Sequence, residues 1–482
     1  MADAGRGLDR TEAVALAYLG APLTLWALGW FRLPVAVALL LTLAFVAAAV
    51  IRHMSAPTAE PLTRSQWALA AVVAAVWAAG TGLAGGAYLN PDWTVRLAAL
   101  HDLVTMPWPV SYGSEGDGVL MLRFPMAYYL IPATVGKIAG MEEARLALYA
   151  WTAIGAAIFL ALVLQSLPRR SLREIAATVA VVVLFSGMDI VGWLTTKGSF
   201  PAPGEHIEWW QWMFQYSSNA TLMFWVPNHA LPGWLATAVL WRHRNRGLDV
   251  SASAALLLAV AAWAPLVAAG LLPLLILGSL RGVRAAASLN AAARPEVWFA
   301  AGWIALLAAF TTFGVPVEES SRSWATARLQ FALLPYLLPY LTGFAVVEWG
   351  LLALWVWRAQ GRHPLIIAAM ATLILLPAFR FGPGNDIVMR GGIPAMTLLM
   401  FATLEALRHR HATRLQRSAI LAVLALGAVT PLLEMTRALM PASGPPPAIE
   451  GPLTAQGRPW HYVGTLQQGR LQTLLKPQAS AK

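Results

Sequence analysis

Long apolar runs alternate with short, Arg-bearing polar segments along almost the whole chain. Each run covers roughly 17 to 25 residues, enough to cross a ~30 Å hydrocarbon core as a helix. The pattern predicts helices over Ala13–Phe31, Pro34–Val50, Gln66–Tyr88, Ala144–Leu167, Ile175–Leu194, Phe224–Trp241, Val297–Phe313, Phe331–Trp357, Leu365–Ala378, Gly391–Leu407 and Ala419–Leu433. In the long Phe331–Trp357 run, Pro335 and Pro339 predict kinks. Phe124–Ile138 is amphipathic and predicts a helix lying along the membrane interface. The expected fold is all-α, a polytopic transmembrane bundle of about 11–13 spans with long outer loops.

The basic clusters set the direction of each span. They are Arg52 to Arg64, Arg169 to Arg173, Arg242 to Arg246, Arg281 to Arg294, Arg358 to His363 and Arg408 to Arg417. The positive-inside rule assigns all six to the cytoplasm. Ala254–Leu280 is flanked by basic loops at both ends, so it must leave and re-join the same side as a helical hairpin with Trp263-Ala264-Pro265 at its tip. Such a hairpin is stable in lipid only if protein buries the tip. The N-terminus is then cytoplasmic and the C-terminus external. Residues 1–440 form the membrane domain, with outer loops at 86–143, 195–223, 314–330 and 379–390; residues 441–482 form a Pro-rich external tail.

Composition agrees with a bilayer protein: of 482 residues, 58% are hydrophobic and 12% charged, with a mean hydropathy of +0.60. The net charge of +11 follows from the loop clusters and does not point to nucleic acid. With no cysteine, disulfides, thiolate nucleophiles and thiolate metal sites are excluded. The N-terminal segment lacks a cleavable signal pattern, so the first apolar run is expected to stay as a helix. The Ala, Arg, Leu and Trp-rich usage suits a bacterial inner membrane. There is no internal repeat of the kind many transporters carry.

Candidate chemistry gathers in the outer loops. The first exceeds 30 residues, more than a connector needs. It opens with Asp92, a carboxylate at a helix end; Arg96 follows at i+4, within pairing reach on a helix, and His101-Asp102 come later. The second loop carries Glu205, His206, Glu208 and Trp209-Trp210, where indoles beside carboxylates suit a sugar or simply an interfacial aromatic belt. Its spacing matches no specific metal-ligand pattern, so a divalent cation is not indicated and no cofactor is expected. Asn228 and His229 begin the span that follows. In the last outer loop Asn385 and Asp386 cap a helix, and Arg380 and Arg390 form a candidate phosphate clamp.

The layout of Asp92-Trp93, Leu100-His101-Asp102-Leu103, Pro107-Trp108-Pro109-Val110, Glu208-Trp209-Trp210, Phe224 to His229, and Asn385-Asp386 with Met389-Arg390 resembles the GT-C fold glycosyltransferases. The resemblance spans about Gly86 to Leu407. It implies a polyprenyl-phosphate-linked sugar donor reached from the bilayer and a glycan or lipid acceptor from the external side. Asp92 would deprotonate or orient the acceptor hydroxyl, and Arg390, with Arg380, would hold the departing lipid phosphate. Two other classes stay open: a transporter, flippase or polymerase of envelope lipids, and a non-catalytic membrane assembly protein.

Overall fold

The structure, a computed structural model, describes residues 9–54, 60–167, 171–211, 214–280, 290–312, 342–379, 385–440, 453, 462–467 and 469–477. Outer loop 314–330, Pro335, Pro339 and Arg380 lie outside the described residues. The described chain is almost wholly helical. Six of its helices are long and apolar enough to cross a membrane, which defines a multi-pass membrane protein. Helices α1 (Arg10–Trp30) and α2 (Leu33–His53) open the chain, followed by α3 (Arg64–Ala79), α4 (Asp92–Thr105), α5 (Ala127–Ala139) and α6 (Met141–Gln165). Next come α7 (Leu172–Val183), α8 (Asp189–Lys197), α9 (Asn219–Trp225), α10 (Pro227–Arg242), α11 (Val250–Trp263), α12 (Pro265–Leu280) and α13 (Pro295–Thr312). After a π-turn at Val346–Gly350 follow α14 (Leu351–Gln360), α15 (Pro364–Leu375), α16 (Asp386–Arg408), α17 (Arg414–Gly427) and α18 (Val429–Leu439).

Helix α16 is the most buried of the long helices and packs on α10, α12 and α15. Its glycines permit this. A Cβ on Gly270 of α12 would stand 1.9 Å from the Gly391 carbonyl oxygen, and one on Gly392 would stand 2.5 Å from the Tyr216 ring. Small residues at a crossing let two backbones approach where lipid supplies no hydrophobic drive. The periphery does the opposite: α2 exposes Leu33, Val37, Leu41, Phe45 and Ile51, an apolar face that only hydrocarbon would cover without cost.

The basic clusters meet at one end of the bundle. Arg242 pairs with Glu12 at 2.6 Å and with Asp9 at 3.3 Å, and donates to Gln165 at the end of α6. Arg244 reaches Glu405 at 3.1 Å, Gln416 donates to the Arg358 carbonyl, and Arg294 pairs with Asp249 at 3.1 Å. Shared ends are what the alternating directions require. The expected hairpin is also present: Ser253 and Ser279 are hydrogen-bonded at 2.7 Å at its open end. At its tip Trp263 is fully buried and donates to the Leu19 carbonyl, midway along α1, at 2.9 Å.

Several expectations need correction. The span expected over Gln66–Tyr88 stops at Ala79, because Gly82, Gly85 and Gly86 take positive φ and turn the chain. Ile175–Leu194 and Phe224–Trp241 are each two helices, broken at 184–188 and at Val226. Phe124–Ile138 forms a helix as expected, though it starts at Ala127, and α5 buries Tyr128, Tyr129, Leu130 and Ala133 against α4, α6 and α1. The fold is helical but not purely so: β1 (Ser111–Glu115), β2 (Gly118–Leu122) and β3 (Val463–Gln467) form an antiparallel sheet in the order β1-β2-β3. Strand β3 belongs to the C-terminal tail, so the described part of 441–482 is docked on the first outer loop rather than standing apart.

Candidate functional site

The break at Val226 organises the site. Helix α9 begins with the Ser218 side chain capping the Thr221 N–H and ends at Val226, which leaves the helical conformation (φ −137°, ψ 50°) ahead of Pro227 and so carries the N–H groups of Asn228 and His229 off the ladder. The carbonyls of Phe224 and Trp225 therefore lose their helical donors, and buried carbonyls must find others. The start of α4 supplies them. Asn90 Nδ2 and Trp93 Nε1 both donate to the Phe224 carbonyl, at 2.9 and 3.0 Å, and the Arg96 guanidinium donates to the Trp225 carbonyl. Asp92 pairs with Arg96 at 3.0 Å, as the i+4 spacing predicts. The two side chains differ sharply in exposure, 47% for Asp92 and 6% for Arg96. The cation is built into the fold, and the carboxylate is presented by it.

Helix α10 starts at the same break with Asn228 and His229. Asn228 Nδ2 lies 3.3 Å from His229 Nε2, while Asn228 Oδ1 and His229 Nδ1 are buried with no hydrogen-bond partner among the described residues. The charges of Arg390 and Arg96 both reach the His229 ring. Arg390 is one-third exposed and pairs with Asp386 at 2.9 Å. Asn385 precedes them in the left-handed conformation, φ 53°. Arg96 of α4 and Arg390 of α16, each paired with a carboxylate on its own helix, thus both act on His229 of α10. Tyr129 of α5 faces the same group: the charges of Arg96 and Asp92 reach it, and its buried hydroxyl has no partner among the described residues.

The second loop joins through the indole of Trp225. Trp225 Nε1 donates to Glu434 of α18 at 3.0 Å, and the same carboxylate holds His206 at 2.6 Å and Arg437 at 3.1 Å. Burial works to lower the His206 pKa, but the hydrogen bond to Glu434 and the charges of Glu208 and Glu434 outweigh it and hold the imidazole above its usual value. Glu434 was not among the residues singled out from the sequence. Its signal was an acid inside an apolar helix with an Arg at i+3.

Other sequence candidates are committed elsewhere. Glu205 caps the Ala202 N–H. Glu208 is fully buried and accepts from Gln215, Ser218 N and Thr221 at 2.6, 2.8 and 2.6 Å, so its oxygens serve the start of α9. Trp209 is exposed and donates to Gln215. Asp102, ten residues along α4 from Asp92 and so about 15 Å away, accepts from Tyr112 and from the Leu453 N–H at 2.6 and 2.9 Å, with His101 beside it at 3.3 Å. It ties loop and tail together, outside the site. Two further buried carboxylates, Asp189 and Glu348, stand close enough for their charges to act on each other, a pairing that sequence reading did not give. Ser186 and Thr430 donate to Asp189 and Trp210 to Glu348, and Gly187 makes room, since a Cβ there would lie 2.3 Å from Glu348 Oε2.

Among the described residues no group of three His, Asp or Glu is placed to hold a metal ion. An open cleft of about 380 Å³ lined by Arg32, Gln472 and Lys476 lies where the tail meets the α1–α2 turn, apart from these residues. Fold and site together define a multi-pass helical membrane protein with a polar site built on broken helices. No family model, curated protein or solved structure matches the chain.

Proposed function

We propose that the chain is a membrane transferase of the GT-C glycosyltransferase type, moving a sugar from a polyprenyl-phosphate donor to a glycan or lipid acceptor at the outer face of a bacterial inner membrane. The observation that carries this reading is the division of labour between Asp92 and Arg96. A half-exposed carboxylate is held by a buried guanidinium that is itself anchored to main chain, and a second, partly exposed guanidinium, Arg390, acts on the same His229. In the transfer, Asp92 accepts the proton of an acceptor hydroxyl as its oxygen attacks the anomeric carbon. The bond from that carbon to the phosphate oxygen breaks, its electron pair leaves with the lipid phosphate, and Arg390 neutralises the charge that develops there.

The test is binding and turnover of a panel of polyprenyl-phosphate sugars by the protein in nanodiscs. Asp92→Asn is expected to keep binding and to lose about 10²–10⁴-fold in turnover, while Arg390→Ala weakens binding. Absence of binding across the panel by the wild-type protein would sink the proposal.

A second reading is favoured by the two interrupted helices. Asp189 and the Asn228-His229 pair stand at breaks within predicted spans, the layout of discontinuous helices that line transport sites. Movement of envelope lipids across proteoliposomes, with no sugar transferred, is the outcome that would select a transporter or flippase.

A further inference from the structure

Two buried carboxylates remain that the Asp92 site does not use. Asp189 is 1% and Glu348 2% exposed, and each stands where helical pairing is interrupted. Asp189 opens α8 after the break at 184–188, and Glu348 is the middle residue of the π-turn Val346–Gly350. The two interruptions are joined: the Met188 N–H donates to the Val347 carbonyl at 3.0 Å, and Glu348 Oε2 lies on the Gly187 backbone, where a Cβ would meet it at 2.3 Å. Asp189 folds back on the same stretch, its Oδ2 accepting from Ser186 at 3.0 Å and from Thr430 at 2.8 Å. Both carboxylates therefore converge on Ser186 and Gly187.

Their oxygens are unequally served. Asp189 Oδ2 has the two hydroxyls, and Glu348 Oε1 has Trp210 Nε1 at 2.8 Å; all three donors are neutral. Asp189 Oδ1 and Glu348 Oε2 are buried with no hydrogen-bond partner among the described residues. Among those residues the surrounding elements bring no cation to them. Glu208 on the 207–210 turn is committed to the start of α9, Glu434 of α18 holds Arg437 and His206, and the Tyr216 hydroxyl goes to the Leu373 carbonyl. Lys197 lies eight residues along α8 from Asp189, ~12 Å away, over the Trp193 ring. Arg358 of α14 is ten residues from Glu348. Arg414 and Arg417 of α17 are ten or more from Gly427, whose Cβ would touch the Ser186 carbonyl, so all three stand ~15 Å or more off.

We propose that Asp189 and Glu348 form a proton-binding site that holds one proton between the two open oxygens. Ionised carboxylates only accept hydrogen bonds, and two open acceptors buried without a cation carry a desolvation cost that no neighbour here offsets. One added proton answers both. It turns one carboxyl into a donor, gives the other oxygen a partner, and cuts the buried charge from two to one, as like charges in one site require. The remaining charge is held by Ser186, Thr430 and Trp210. Proton binding thus clamps the 184–188 break to the π-turn, and this inference rests on neither reading of function given above.

Infrared spectroscopy counts the proton, because a carboxylic-acid C=O absorbs apart from carboxylate and amide bands. The whole protein in ester-free maltoside micelles at neutral pH is compared with Asp189→Asn, Glu348→Gln and the double variant; each side-chain amide keeps the size and supplies an N–H in place of the proton. A shared proton predicts that either single variant loses one carboxylic-acid group per molecule with the carboxylates unchanged. The double variant then loses no further acid but one carboxylate. Additive loss, one acid in each single variant and two in the double, means two separate neutral acids and overturns the proposal. Loss of carboxylate alone in the single variants, or a response of the wild-type bands to Na⁺ in place of choline, means two ionised groups or a bound metal ion and overturns it too. The wild-type spectrum is a test that no variant's folding can obscure: absence of any carboxylic-acid band at neutral pH ends the proposal.

Discussion

Replacing Arg96 with Met keeps a long side chain and removes the charge, and the structure says what is left behind. The Trp225 carbonyl has lost its helical donor at the Val226 break, and His229 N–H goes to the Val226 carbonyl instead. Arg96 is its donor among the described residues. A buried carbonyl left unpaired costs about 1–3 kcal/mol. Loss of the Asp92 pair adds at most about 1 kcal/mol, since that carboxylate is half exposed and solvent screens it. The sum, about 1–4 kcal/mol, is a factor of roughly 5 to 1,000 in the unfolding equilibrium. Arg96→Lys still reaches the carbonyl but cannot fork to both the carbonyl and Asp92, and should lose about half as much. Steric trapping in bicelles measures unfolding within a bilayer and suits the comparison. An Arg96→Met protein within about 0.5 kcal/mol of wild type would refute the claim that Arg96 caps the break.

His206 gives a pH dependence. Because its pKa is raised in the fold, its contribution to stability is complete below the unfolded imidazole value of about 6.5 and falls away as pH rises through the folded value. The stability difference between wild type and His206→Gln, followed from about pH 5 to pH 9, should shrink upward, and a difference that grows with pH would contradict the assignment. At the opposite end of the bundle, Arg242→Met leaves the buried Glu12 carboxylate with His243 alone, at 3.3 Å, and should cost about 3 kcal/mol. Adding Glu12→Gln should recover part of that loss, and a double-mutant cycle that sums to zero coupling would exclude a linked pair. Gly270→Val drives a side chain into the Gly391 backbone and should destabilise by about 1–3 kcal/mol. Gly302→Ala, where nothing lies within 4 Å of the added Cβ, should be neutral or stabilising by up to about 1 kcal/mol, and equal loss in both would show that the α12–α16 crossing is not tight.

What could be read along the chain was what periodicity and charge encode locally. The apolar runs and the clustering of basic loops follow from spacing alone, and so does the hairpin at Ala254–Leu280, because a 27-residue run between two basic loops has few ways to lie in a bilayer. The pairs Asp92–Arg96 and Asp386–Arg390 were equally legible, since i+4 places both partners on one helix face. The continuity of spans was not. Apolar composition cannot tell one helix from two when the interruption is stabilised from elsewhere, as the Val226 break is by Asn90, Trp93 and Arg96.

The same limit explains which polar residues were misread. Glu208 and His206 stand two positions apart in the chain, yet the first is spent on the start of α9 and the second on Glu434, 228 residues away. Asp189 finds Glu348, Glu12 finds Arg242, and the tail finds β2. A polar side chain's type sets what it can bond, and the sequence by itself determined that much, together with the apolar pattern that takes the chain into a membrane. Which donor or acceptor arrives is decided by helix packing between segments far apart in the chain. Only the tertiary structure therefore decided that Asp92 is presented while Arg96 is buried, and that the C-terminal strand β3 pairs with β2.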